Sequence, residues 1–269
     1  MRRTMLYFGS FNPVHRGHIA LAEWVVGQGL CDELALVISP QSPYKEAADL
    51  APELDRFEMA EAACRASRYP ERIRPSVVEF LLPRPSYTID TLRYLEQECG
   101  DRMRFSILMG GDQIERLDGW KEWERILEYP IYVYPRRGEP TMRFADRITL
   151  LDGAPLLDIS STAVRRALEA GEEVSQWIAP EVADHIRRRG LWSPERRLEL
   201  LDRRLADTPR DADLLLERAR LHYRRNAWGP ALNDFNALLR LDPDHAEARE
   251  YARMIREILD FRYTDIYNP

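Results

Sequence analysis

Cysteine is scarce in this chain, and its spacing excludes zinc-ribbon and disulfide-stapled designs. Cys31, Cys64 and Cys99 are odd in number and far apart. They form no paired metal spacing and no disulfide framework, so idle or buried thiols of a cytoplasmic protein are expected. Net positive charge is also missing. Against 39 Lys and Arg stand 45 Asp and Glu, a formal charge of −6. That balance gives no general basic field for nucleic acid or an anionic membrane, so any phosphate site has to be local. Long apolar runs are absent: LALVI, Leu34 to Ile38, is far short of the roughly 20 residues that cross a bilayer. The opening MRRTMLYFGSF has two arginines, but the apolar stretch after them is too brief for a secretory signal. Neither GxxxxGK[ST] nor GxGxxG occurs, which rules out a P-loop and a dinucleotide fingerprint. Histidine is rare as well, at five residues, yet two of them stand three apart in LYFGSFNPVHRGH.

What is present reads as two regions. The 269 residues, 45% of them hydrophobic, can bury a sizeable core in one large domain or two unequal ones. From Arg3 to about Ile148, compact β-like runs (TMLYF, LALVIS, RIRPSVVEF, MRFSILM, PIYVYP) alternate with amphipathic helical segments. This grammar predicts a Rossmann-like, doubly wound α/β fold with a mainly parallel sheet. RITLLD adds a short strand before the helix STAVRRALEAG, and PEVADHIRRRG makes another helix with proline at its start. After about Trp192 every segment is helical. RLELLDRRLADTPRDADLLL aligns with ALNDFNALLRLDPDHAEARE at an offset of thirty-four, pairing Leu198 with Leu232, Leu205 with Leu239, Pro209 with Pro243 and Ala212 with Ala246. Thirty-four is the tetratricopeptide period. The expected domains are residues 1–193 and a small all-α, tetratricopeptide-like extension, 194–269. The extension is short of the about three repeats that stand alone, so it is expected to cap the domain, self-associate or take a protein partner.

Ligands of such sheets bind at the carboxyl ends of the strands, where GSFNPVHRGH is placed. Gly9 is read as the sharp turn, Pro13 as its stiffener, and Gly17 as room for a helix to begin. A helix starting there aims unpaired N–H groups at the strand tips, and His15 and His18 add imidazole donors. Two loop histidines alone more often face solvent than carry function. The whole string, however, resembles the G-[ST]-F-x-P-x-H-x-G-H signature of the nucleotidyltransferase superfamily, through Gly9, Ser10, Phe11, Pro13, His15, Gly17 and His18. The second signature of that superfamily, I-S-S-T-x-x-R, reads ISSTAVR from Ile159 to Arg165. Ser160, Ser161 and Thr162 stand where a helix begins, and hydroxyls are favoured there as caps. Capping leaves Arg165 unexplained, whereas a guanidinium returning to the helix start can fork onto phosphate oxygens.

SYTIDTL (Ser86 to Leu92), GGDQIERLDGWKEW (Gly110 to Trp123) and SPQSPYK (Ser39 to Lys45) together resemble bacterial nicotinate-nucleotide adenylyltransferases, from about residue 4 to 193. The resemblance implies transfer of the adenylyl group of ATP to nicotinate mononucleotide, with Mg²⁺ and release of pyrophosphate. It implies His15, His18 and Arg165 as catalytic residues. Gly9, Ser10, Phe11, Gly17, His18, Gly110, Asp112, Ile159, Ser160, Ser161, Thr162 and Arg165 would bind ATP, and Lys45, Tyr87, Thr88 and Trp120 the acceptor. No protein metal ligand is implied. A pyridine ring needs a flat apolar partner, and stacking on an aromatic side chain contributes roughly 1–3 kcal/mol. Trp120 and Trp123 are read as one helical face, Trp120 for ligand and Trp123 for packing, and Thr88 could instead be a helix cap. Alternatives are phosphopantetheine or nicotinamide mononucleotide as acceptor, or a repeat-bearing scaffold with an inactive nucleotide domain.

Overall fold

The computed structural model describes residues 1–40, 50–135 and 143–266, with side chains to residue 259. Lys45 falls outside them. The described residues form two compact units, residues 1–165 with 174–189, and residues 166–173 with 190–269.

The first unit is built on six strands, β1 (Arg2–Gly9), β2 (Glu33–Ile38), β3 (Ile73–Ser76), β4 (Met103–Gly110), β5 (Ile131–Tyr134) and β6 (Ile148–Leu150). They pair in the order β3-β2-β1-β4-β5-β6, all parallel. Between them run α1 (Arg16–Gly27), α2 (Glu53–Arg65), α3 (Thr88–Cys99), α4 (Gly111–Ile114) and α5 (Trp123–Ile126), followed by α6 (Ser161–Glu169) and α7 (Pro180–Arg189). Alternation fails in β1, where Thr4 to Tyr7 are all buried, because a parallel sheet is covered on both faces. Leu6, Val37, Ile107, Met109, Ile131 and Val133 pack with Ile89 and Leu92 of α3. The strand order reverses between β1 and β4. Tyr7 pairs with Leu108, and continuing that register sets Gly9 beside Gly110 at the two strand tips. The two strand tips thus meet at the point where the strand order reverses, which is where such sheets bind ligands.

The second unit holds α8 (Pro194–Asp207), α9 (Ala212–Arg224), α10 (Trp228–Leu241) and α11 (Ala246–Ile266), together with residues 166–173, the end of α6 and the turn after it. Helix α10 begins thirty-four residues after α8, and α11 thirty-four after α9. Their core joins Leu201, Leu205, Leu215, Leu238 and Ile255 around Phe235. Ala219, Ala231 and Ala252, each at most 1% exposed, let the helix backbones approach. Arg218 clasps both oxygens of buried Asp234 at 2.7 and 2.8 Å and reaches Asp202 at 2.7 Å. These carboxylates raise the affinity of its guanidinium for its proton. Arg218→Ala would strand a buried carboxylate, and urea unfolding is expected to show a loss of about 2–3 kcal/mol in this unit. An unchanged midpoint would show that the pair does not stabilise it.

Candidate active site

Helix α1 starts at the strand tip and is capped by His15, whose backbone is extended. The His15 N–H donates to Nδ1 of His18 at 3.2 Å, so the neutral His18 ring carries its proton on Nε2. The two imidazoles stack at 3.6 Å between centroids, 20° from parallel. Gly17 is what permits this: a Cβ there would lie 3.1 Å from the His15 ring. Phe11 and Tyr7 meet His18 edge-on at 5.1 and 6.0 Å and fix its plane. Arg16, between the histidines, turns the other way; its N–H and guanidinium donate to the carbonyls of Trp177 and Ser175.

Gly9 is not the residue that bends the chain. It ends β1 in ordinary conformation, and the left-handed backbone is at Phe11, with φ +43°. The missing Cβ of Gly9 serves packing instead, because the Phe11 ring lies 3.0 Å from where it would be.

The second helix start is fastened to this loop. Ser160 Oγ accepts from the Ala163 N–H and caps α6. Ser161 Oγ donates to the Pro13 carbonyl at 2.9 Å, and Arg165 Nη1 donates to the Asn12 carbonyl at 2.9 Å. Arg165 therefore does turn back towards the start of its own helix. Both helix starts open onto one cavity of about 540 Å³. Gly9, Ser10, Phe11, His15, Gly17, His18, Ile159, Ser160, Ser161, Thr162 and Arg165 all line it.

Gly110 and Asp112 do not. Gly110 is the buried cap of α4, and Asp112 sits exposed in that helix's first turn. Gln113 takes the place expected of Asp112: it lines the cavity and its Oε1 accepts the Gly110 N–H at 3.0 Å. Sequence reasoning also missed Tyr7, Asn12 and Tyr134. Tyr7 and Tyr134 join hydroxyls at 3.2 Å within the lining, and Asn12 stands at the unspecified position of the first motif. Their signal was position alone, at or just past strand ends.

Tyr87, Thr88 and Trp120 lie apart from that lining, at the start of α3. Lys121, next to Trp120, sits 5.1 Å over the Tyr87 ring and grips both oxygens of Asp90. Tyr87 and Trp120 are partly buried against the sheet core. Thr88 is not the helix cap; Tyr87 is, and α3 begins at Thr88. Trp120 and Trp123 do not share a helical face. Trp120 is extended after a short turn ending at Gly119, and left-handed Glu122 (φ +50°) separates it from α5. Trp123 packs on Phe144 at 5.5 Å, in keeping with a packing role. Beneath α3, buried Glu79 accepts from Ser86 at 2.9 Å, from Thr91 at 3.1 Å and from Ser39. Burial pushes its carboxyl up, against these hydrogen bonds.

Among the described residues, Asp55, Glu58 and His185 could hold a metal ion, but none of them lines the cavity. His185 and Arg189 already hydrogen-bond Asp55 at 3.0 and 2.7 Å. Burial penalises the Asp55 charge, but those bonds win and keep its carboxyl below the usual range. Among the described residues, the cavity lining contains no Asp or Glu.

Residues 6–167 match the model of the cytidylyltransferase-like family. A Cytophaga hutchinsonii protein described as a probable nicotinate-nucleotide adenylyltransferase is 36% identical over 190 residues, 70% of this chain and 97% of that one. The chain belongs to that family. A Bacteroides fragilis relative of the same description is 39% identical, across 68% of this chain and 90% of its own. The solved Plasmodium falciparum nicotinic acid mononucleotide adenylyltransferase, complexed with NaAD, superposes with a TM-score of 0.61 at 20% identity, over 71% of this chain and 98% of that chain. At that identity the likeness speaks for the shared fold.

Proposed function

We propose that this adenylyltransferase moves the adenylyl group of ATP onto the 5′-phosphate of nicotinate mononucleotide, giving deamido-NAD and pyrophosphate, a step of NAD biosynthesis in the cytoplasm. The observation that carries it is the convergence of α1 and α6, with His15, His18 and Arg165, on one cavity in a chain of this family. Helix N-termini attract phosphate through unpaired N–H groups and the dipole, and two of them suit a triphosphate. Pro155, Leu156 and Leu157 give the cavity an apolar wall for a base.

The acceptor needs no general base, because a phosphate monoester with a second pKa near 6 is already an anion at neutral pH. It attacks the α-phosphorus in line, and pyrophosphate leaves. His18, through Nε2–H, serves the α-phosphate; His15 serves the β and γ side; Arg165 forks across the departing oxygens. Ser10, Ser160, Ser161 and Thr162 offer hydroxyls and no carboxylate, a donor set suited to Mg²⁺ arriving on the triphosphate oxygens. There it would neutralise charge on the leaving group. Tyr87, Thr88 and Trp120 take the pyridine nucleotide, with Lys45 as a further donor and Gly110 and Asp112 beside the hollow. Helices α8 to α11, with their thirty-four-residue offset, read as a tetratricopeptide-like unit for a protein partner or a second copy.

Turnover with ATP, Mg²⁺ and each of nicotinate mononucleotide, nicotinamide mononucleotide and phosphopantetheine tests this directly. Nicotinate mononucleotide is expected to give the highest kcat/KM with stoichiometric pyrophosphate. Trp120→Ala should raise KM for that acceptor about 10- to 100-fold, the equivalent of one lost stack, and leave KM for ATP in place. Preference for phosphopantetheine would reassign the acceptor, and absence of pyrophosphate with all three would favour the scaffold.

A further inference from the structure

Arg56, on α2, is fully buried, at 0% exposure. Four of its five guanidinium N–H groups donate to main-chain carbonyls: Ala51 at 3.1 Å, Ser10 at 2.8 Å, Ser39 at 2.6 Å and Pro40 at 2.9 Å. No carboxylate stands within ion-pair distance among the described residues. Burial pushes its pKa down only to about 10, so the charge persists at neutral pH. A buried cation with no carboxylate in contact among the described residues is a costly choice where a Leu or Met would pack. Its surroundings indicate what it is for. Ser10 and Phe11 line the nucleotide cavity, and Arg56 lies behind them. A second tie runs the same way, from the Ala51 N–H to Asn12 Oδ1 at 2.9 Å.

The peptide joining Ser10 to Phe11 is planar, and its C=O and N–H point in opposite directions. Arg56 draws the C=O inward, which turns the Phe11 N–H outward. Phe11 pays for this in backbone terms, since φ +43° is disfavoured for a residue with a Cβ. We propose that Arg56 is a positioning residue for ATP: it holds the Ser10–Phe11 peptide so that the Phe11 N–H donates to the nucleotide's phosphates. Its positive charge, behind the same peptide, adds to the attraction. The inference rests on the adenylyl-transfer reading above, with ATP in this cavity.

Full-length Arg56→Lys keeps the charge and loses the fork. It is expected to raise KM for ATP at least about tenfold and to lower kcat, while KM for the acceptor moves less than about threefold. His185→Ala, which breaks a different buried contact of α2 away from the cavity, is expected to leave both KM values within about twofold. A folded Arg56→Lys enzyme with kcat and KM for ATP within about twofold of the parent overturns the proposal. Should that variant not fold, amide exchange on the parent protein decides. A non-hydrolysable ATP analogue is expected to slow exchange in the peptide holding Phe11 about tenfold, and an unchanged rate overturns the assignment. Exchange reports the Phe11 contact even if no acceptor turns over, so failure of the acceptor reading and failure of this one are distinguishable.

Discussion

His18→Ala is expected to lower kcat by about 10²–10³ while the protein stays folded. The expectation follows from what the ring does in the resting site. Nδ1 accepts from the His15 N–H, the plane is set by Phe11 and Tyr7, and Nε2–H is the ring's donor towards a phosphate. A donor held this way costs nothing to reorganise when charge builds on the α-phosphate, which is why its loss falls on turnover. KM for ATP should change far less than kcat, because the ground-state triphosphate keeps both helix starts and Arg165. His18→Gln separates two explanations. An amide can donate a hydrogen bond but cannot carry a full charge, so recovery of most of the rate would assign His18 a hydrogen-bonding role. Near-normal turnover in His18→Ala, measured as pyrophosphate release, would remove the residue from the mechanism altogether.

The parallel sheet was legible because its strands are short apolar runs separated by amphipathic helices, and burial on both faces leaves no other reading of TMLYF or LALVI. The two phosphate motifs were legible because a helix start that binds an anion needs small residues and hydroxyls at fixed spacing. Misreadings came where tertiary contacts, invisible to spacing, decide the outcome. Gly9 looks like a turn glycine, yet its missing Cβ makes room for a ring two residues later. Trp120 and Trp123 have helical spacing, but Gly119 and left-handed Glu122 break the helix between them. Asp112 is the conspicuous polar residue of its stretch, while the neighbour that reaches the cavity is Gln113. Arg56 was silent for the same reason: one arginine in an amphipathic segment looks solvated until the chain folds four carbonyls around it.

Arg165→Ala is the companion experiment, with an expected loss of about 10²–10³ in kcat/KM for ATP. In the resting protein Arg165 donates to the Asn12 carbonyl. Its removal should therefore also cost about 1 kcal/mol of stability, visible as a small shift in Tm. Arg165→Lys separates charge from shape. A lysine delivers one point charge where the guanidinium delivers two parallel donors, so it should recover less than about a tenth of the parent kcat/KM. The double variant His18→Ala with Arg165→Ala then asks whether the two helix starts act on one phosphate array. If they do, both groups meet charge that develops together, and the combined loss should fall well short of the product of the single losses. Strict multiplication of the two effects would place them on independent steps, and with that the case for a single convergent anion site would be lost.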